Sequence, residues 1–449
     1  MNIPCVCKPA FIITGFSFLK PELTNIQFQN LTLIASALIL GAKFNLTEIS
    51  RMWLKQKSIS ALSEFLSDSK FCTIEMQRLH LLNMRNTYKI VKGNFLIDDT
   101  MKHHTKFCKW IHGVQVLFDH ALGTNLRATC LVFLYYSDGK SVKFPICHRI
   151  FYQKKSLMPW RRGKDIVHKT KNELAIEMLK WAIDNGFPKC TVLADSWFGV
   201  EPFIKGLKRL KLHYVIEIKA NLNVNVACQK PKLTPKGRLC KHQFDSVNIV
   251  EFFTTVLAGH VCGLEADRDE GKQQKILYHT KIANIRLNAI SGKHRVVESF
   301  DPTTKTSKYL LTDQLTWEAT KIISIYDYRW AIEEFFRNAK QLTDMEGATV
   351  RSEQGVTISL CLVSWIDSLL HLENWKQSVA GKLTKAPLTV PSIVRRAQYE
   401  NLKALLEKLE TDKHFVERWL WVEKTRMNRT RKKRYELVNL DDAGLQTAA

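Results

Sequence analysis

Along residues 1–90 the apolar positions recur at helical spacing. Leu31–Ala42 is a dense apolar run and predicts a buried helix. Asn45, Thr47 and Glu48 lead into Ile49, Trp53 and Leu54, and then into Ile59, Leu62, Phe65 and Leu66. That pattern predicts two short helices broken near Lys57–Ser58. They form either a helix-turn-helix or an ordinary packed pair, the packed pair being the simpler reading.

After Lys92 the period changes from helix to strand. Gly93–Asp99, Trp110–Phe118 and Arg127–Tyr136 are rich in β-branched and aromatic residues, with turn signals at Leu122–Asn125 and Ser137–Gly139. Lys171–Asn185 returns to helical spacing through Leu174, Ile176, Met178, Leu179 and Ile183, and Gly186 and Pro188 stop it. Lys189–Asp195 and His213–Lys219 read as strands, with a helix expected over Val200–Leu212 between them. Three strands followed by strand and helix in alternation predict an α/β fold with a mixed sheet.

Pro231, Pro235 and Gly237 then mark a basic loop. Strand-like runs at Ile282–Leu287, His294–Ser299 and Lys308–Thr312 make this stretch a β-rich insertion. Helices are expected over Ala319–Leu342, Thr357–Leu372 and Ser392–Glu410. The resulting division is 1–90 helical, 91–222 the first part of a core, 223–316 the insertion, 317–375 the second part of the core, and 376–449 a helical region with a basic tail.

The composition is that of a globular chain: 45% of 449 residues are hydrophobic. The charge is less ordinary. Lys and Arg number 67 against 43 Asp and Glu, a net +24, which calls for a polyanionic partner, nucleic acid before an anionic membrane. Three windows carry most of the excess: Gln153–Asn172 with +6, Lys230–Lys241 with +5 and Lys424–Arg434 with +7. The longest apolar run, Leu31–Ala42, falls short of the roughly twenty residues of a membrane span, so no membrane partner is expected. The cysteines are 11, scattered, with no CxxC pair, which reads as reduced thiols of a cytoplasmic compartment.

Two acids close strand-like runs: Asp99 after Ile97-Asp98, and Asp195 after Val192-Leu193-Ala194. Carboxylates meeting at the carboxyl edge of a sheet repel unless a cation lies between them, and hard oxygen ligands suit Mg²⁺ or Mn²⁺. Each acid taken alone is equally compatible with a helix cap or a turn. Further on, Tyr326, Arg329, Glu333, Arg337 and Lys340 fall within one stripe of roughly 80° on a helix. Ile325, Ile332, Phe335, Phe336 and Ala339 occupy the adjoining face. Periodicity alone leaves open whether the charged stripe is a site or a solvated face with i,i+4 pairs such as Glu333 with Arg337.

The spacing of Tyr326, Arg329, Glu333 and Lys340 resembles the Tyr-Arg-Glu-Lys signature of bacterial insertion-sequence transposases of the insertion-sequence-four type, a group of DDE transposases. Asp99 in Asp-Asp-Thr and Asp195 in Leu-Ala-Asp-Ser match the positions of that group's first two acids, Asp99 being preferred to Asp98 because it directly precedes Thr. The resemblance covers about residues 90–375. It implies an RNase-H-like core flanked by helical regions, the N-terminal one binding DNA. Asp99, Asp195 and Glu333 are the implied catalytic residues and the ligands of two Mg²⁺ or Mn²⁺ ions.

The resemblance also implies binding of double-stranded DNA, both the terminal inverted repeats and a target, by a homodimer in a synaptic complex within the bacterial cytoplasm. Tyr326, Arg329 and Lys340 would contact phosphates, joined by Arg337. By its charge alone the tail with Lys424, Arg426, Arg429, Arg431, Lys432, Lys433 and Arg434 is either a solvated tail or a further DNA contact. The expected activity is cut-and-paste transposition by hydrolysis and strand transfer. The alternatives are an RNase-H-like nuclease without strand transfer and a non-catalytic DNA-binding derivative. A zinc site from Cys228, Cys240, His242, His260 and Cys262 matches no common finger spacing, and His103–His104 reads better as a loop pair than as part of the acidic site.

Overall fold

The computed structural model describes residues 3–420, apart from 54–57, 106, 109, 157–165, 229, 232–234, 237, 240–243, 257–259, 270–271, 303, 380–388, 413 and 418. The tail cations Lys424–Arg434 lie outside the described residues, as do Cys240 and His242.

The N-terminal region is helical as expected: α1 (Ala10–Gly15), α2 (Asn25–Ile39), α3 (Leu46–Met52), α4 (Ile59–Ser67) and α5 (Thr73–Tyr88). Thr24 and Gln27 form a capping box that starts α2, satisfying two backbone N–H groups that would otherwise lack acceptors. The pair α3 and α4 is packed, not free-standing, with Ile49, Leu62, Phe65 and Leu66 in the main core.

The sheet begins with β1 (Asn94–His103), β2 (Gln115–Asp119), β3 (Thr124–Ser137) and β4 (Lys143–Phe151). After α6 (Lys171–Asp184) come β5 (Thr191–Ala194), α7 (Glu201–Leu210) and β6 (Tyr214–Ile218). Strand β3 pairs antiparallel with β1, and β1 pairs parallel with β5, which pairs parallel with β6. Antiparallel strands followed by parallel ones, with helices on both faces, make the RNase-H-like arrangement.

Three features depart from expectation. Strand β4 had no signal in the sequence, because Pro145, the cations Lys143 and Arg149, and the polar His148 break its alternation; it forms by pairing along β3. Strand β1 does not end at Asp99 but runs on to His103, because β3 keeps pairing with it through His103 and Ala128. Trp110 lies outside β2 and is 80% exposed.

The insertion extends the same sheet. It comprises the small hairpin β7 (Asn223–Ala227) and β8 (Phe244–Asn248), then β9 (His260–Asp269), β10 (Lys272–Arg286), β11 (Lys293–Asp301) and β12 (Thr306–Thr312). The last of these adds antiparallel to β6, giving the order β2-β3-β1-β5-β6-β12-β11-β10-β9, with β4 also on β3. The free edge of β6 is thereby covered.

The chain then forms α8 (Ala319–Asp327), α9 (Trp330–Gln341), α10 (Glu353–Val379) and α11 (Val390–Thr411). The sequence pattern predicts one helical segment over Ala319–Leu342. Instead the helix tightens at Tyr328–Arg329, where the amides of Tyr328, Arg329, Ala331 and Ile332 each bond three residues back. Gly139, in the turn after β3, lies so close to the Tyr328 ring that an added Cβ would come within 2.5 Å of it. Helix α10 is long and apolar enough to cross a membrane, but 94% of its apolar window is buried inside the protein, so it is the core helix. Phe133 and Tyr135 of β3 pack on Phe335 of α9, clamping α9 against the sheet.

Candidate active site

The site is built by register. The parallel pairing of β1 with β5 ends at Ile97 and Ala194, and that of β5 with β6 ends at Ala194 and Ile216. One step further stand Asp98, Asp195 and Glu217. Level residues on parallel strands point to the same face, so these three acids form a row across the carboxyl ends of the strands. Chain geometry stops β5 there: Asp195 Oδ1 accepts from the Trp197 amide at 3.1 Å, and the Asp195 carbonyl accepts from the Phe198 amide at 3.1 Å, which closes a turn.

Helices α8 and α9 bring Tyr326, Arg329 and Glu333 to this row. Tyr326 Oη donates to Glu217 Oε2 at 2.8 Å. Arg329 donates through Nη1 to Asp98 Oδ2 at 3.1 Å and through Nη2 to Glu333 Oε1. Its side chain is 13% exposed, and its Nε is buried with no hydrogen-bond partner. Burial opposes the charge on Arg329, but Tyr326, Glu333 and Asp98 outweigh it and hold the guanidinium protonated.

Burial pushes Asp98 up to about 7; Arg329 pulls it down, and Asp195 and Asp99 push it further up. Asp195 is also raised by burial, with Arg329 opposing and Asp99 and Glu217 adding repulsion.

Asp99 goes elsewhere. Adjacent residues on a strand face opposite ways, so Asp99 turns out of the row. There Lys171 Nζ, at the start of α6, donates to both its carboxylate oxygens at 2.8 and 2.9 Å, and Cys130 Sγ lies 3.5 Å away. Asp98, not the expected Asp99, is therefore the residue level with Asp195, while Asp99 is paired with Lys171.

Of the other expected site residues, Lys340 donates to the Met101 carbonyl at 3.2 Å and pairs with Glu346 at 3.2 Å, at the far end of α9. Arg337 is exposed on the same helix, and Glu333 pairs with Arg329 instead of with it. His103 is paired with Asp119 at 2.9 Å and His104 with Thr129 at 3.1 Å, away from the acid row.

Sequence reasoning missed Glu217 and Trp197. Glu217 carried the same signal as Asp195, an apolar run (Tyr214, Val215, Ile216) broken by one acid. Trp197 is 48% exposed beside Asp195, with Lys171 and Lys219 Nζ at 4.8 and 5.6 Å from its ring centre.

A model of the DDE superfamily endonucleases matches residues 19–247, just over half of the 449-residue chain, and spans both Asp98 and Asp195. The chain belongs to the DDE superfamily endonucleases. A transposase DDE domain matches residues 167–366, which takes in Asp195 and Glu333. No curated protein matches the chain. For this DDE enzyme the family's acids imply divalent metal, and the residues present fit it in kind. Asp98, Asp195 and Glu333 offer hard carboxylate oxygens, the donor chemistry that suits Mg²⁺ or Mn²⁺. They are not yet gathered: among the described residues no three acid, His or Cys side chains surround one point, and Arg329 stands between Asp98 and Glu333.

Proposed function

We propose that the protein is a cut-and-paste DNA transposase of the insertion-sequence-four type. It binds the terminal inverted repeats of its element, hydrolyses the phosphodiester at each end, and joins the released 3′-hydroxyl to target DNA. The observation that carries this reading is the level row of Asp98 and Asp195 with Glu333 brought to it by α9. Asp98 takes the role that the sequence assigned to Asp99.

Asp98, Asp195 and Glu333 would hold the metal. Two bound Mg²⁺ or Mn²⁺ ions would supply stabilisation of the attacking and leaving oxygens in an in-line displacement at phosphorus. The chain's own residues orient the DNA. Tyr326, held by Glu217, fixes the α8–α9 junction against the sheet. Arg329 and Lys340, at the two ends of α9, grip phosphates on either side of the scissile bond, and Trp197 with Lys219 lines the other lip. In the first step a water oxygen attacks phosphorus and the 3′ oxygen leaves, taking a proton. In the second that 3′-hydroxyl oxygen attacks a target phosphodiester, and a target 3′ oxygen leaves. The helical region 1–90 and the tail cations bind flanking DNA, and two copies synapse the two ends in the cytoplasm.

The test is cleavage of the element's own terminal repeats in Mg²⁺, comparing wild type with Glu333→Gln and Asp98→Asn. Loss in both supports the reading, and full cutting by either variant removes that acid from the site. A strand-transfer assay on pre-cut ends distinguishes the transposase from a nuclease that only hydrolyses.

A further inference from the structure

Arg329 does not lie free for DNA. Its guanidinium bridges two of the acids that the proposed function assigns to metal, with Asp98 Oδ2 at 3.1 Å on one side and Glu333 Oε1 on the other. A divalent cation bound to those oxygens would sit within a few ångströms of a buried positive charge, where attraction to the acids is offset by repulsion from Arg329. Pushing Arg329 aside without giving it a new partner leaves that charge buried and unpaired, which is costly. A DNA phosphate is the partner that suits it, since a guanidinium fork matches two phosphate oxygens.

We propose that Arg329 closes the acidic centre to divalent cations in the DNA-free chain and is exchanged onto a DNA phosphate on binding, so that cation and DNA bind together or weakly. This inference rests on the reading of Asp98, Asp195 and Glu333 as metal ligands.

Two further observations support the exchange. The Nε–H of Arg329 is buried with no acceptor, so its present arrangement leaves one of five donors unused that a phosphate can satisfy. Arg329 also lies in the tightened turn between α8 and α9, where the backbone bonds three residues back instead of four. A small relaxation there turns the side chain without unseating Glu333, whose helix is clamped by Phe335 on Phe133 and Tyr135. The carboxylates lose one cation and gain another, and the guanidinium changes an acid for a phosphate, so no buried charge is left alone at either end of the exchange.

The experiment is a Mn²⁺ titration of the full chain followed by electron paramagnetic resonance, with and without a saturating mixed-sequence DNA duplex. Asp195→Asn serves as the background for Mn²⁺ held by the DNA itself. Wild type should bind Mn²⁺ about tenfold or more tightly with DNA present, and by reciprocity Mn²⁺ should tighten DNA binding by the same factor. Arg329→Gln should bind Mn²⁺ tightly without DNA and gain little when DNA is added, whereas Arg329→Lys, which keeps the charge, should stay weak. Equal wild-type affinity for Mn²⁺ with and without DNA overturns the exchange while leaving the metal ligands intact. No Mn²⁺ uptake above background in either condition overturns the metal reading as well. If Arg329→Gln fails to fold, the wild-type comparison alone decides.

Discussion

Asp98 and Asp195 stand level on neighbouring parallel strands, one residue beyond the last paired positions, Ile97 and Ala194. Asp99, the next residue, faces the opposite side and is neutralised by Lys171. The two neighbouring aspartates therefore have separable roles. Asp98→Asn should cost several kcal/mol of transition-state stabilisation, about 10³-fold in rate, more than any accompanying loss of folding stability explains. Asp99→Asn breaks a largely buried pair and should cost about 3 kcal/mol of folding stability by urea melts. If Asp99→Asn abolishes cleavage without loss of stability and Asp98→Asn does not, the assignment is reversed.

Tyr326 and Glu217 form the second contact that seats the α8–α9 junction. Removing the hydroxyl in Tyr326→Phe leaves Glu217 without that donor and should cost about 1.5–3 kcal/mol. Glu217→Gln keeps an acceptor for the hydroxyl and should be milder than Glu217→Ala. A double-mutant cycle on cleavage rates checks the pairing: a coupling energy near zero would mean that the two side chains act independently.

His80 gives the fold a pH dependence of known sign. Burial among Phe18, Phe144 and Trp365 pushes its imidazole down to about 3, and its Nε2 meets Ser368 Oγ at 3.0 Å. Unfolded, the ring takes a proton below about 6.5. Between those values the unfolded chain binds the extra proton, so this contribution is whole above pH 6.5 and is lost as pH falls toward 3. Urea melts should show His80→Gln losing roughly 1.4 kcal/mol less per pH unit than wild type over that window. Parallel slopes would mean that His80 is protonated in the fold.

The concentration of positive charge predicts a salt-dependent affinity. Log affinity for DNA should fall against log salt with a slope near −0.9 per neutralised phosphate. Deleting the stretch Lys424–Arg434, which carries +7, should flatten that slope by several units if the stretch contacts phosphates. An unchanged slope would remove the tail from the interface.

Much of the chain was legible before folding. The helical first region, β3, α6, β5, β6 and the stripe carrying Tyr326, Arg329 and Glu333 were all written in local periodicity, because burying one face of an element needs only its own spacing. The family resemblance rested on the same local spacings. Strand β4 was not legible, because its pairing with β3 overrides a poor pattern.

What only the tertiary structure decided is which residues meet. Along a strand one step changes the face, so the choice between Asp98 and Asp99 depends on the register of β1 against β5, a strand distant in sequence. The same register puts Glu217 beside Asp195, and the packing of α9 on β3 brings Arg329 between Asp98 and Glu333. The sequence by itself determined the elements and the supply of acids and cations. Pairing between distant segments, which no local pattern encodes, decided which acid faces which cation.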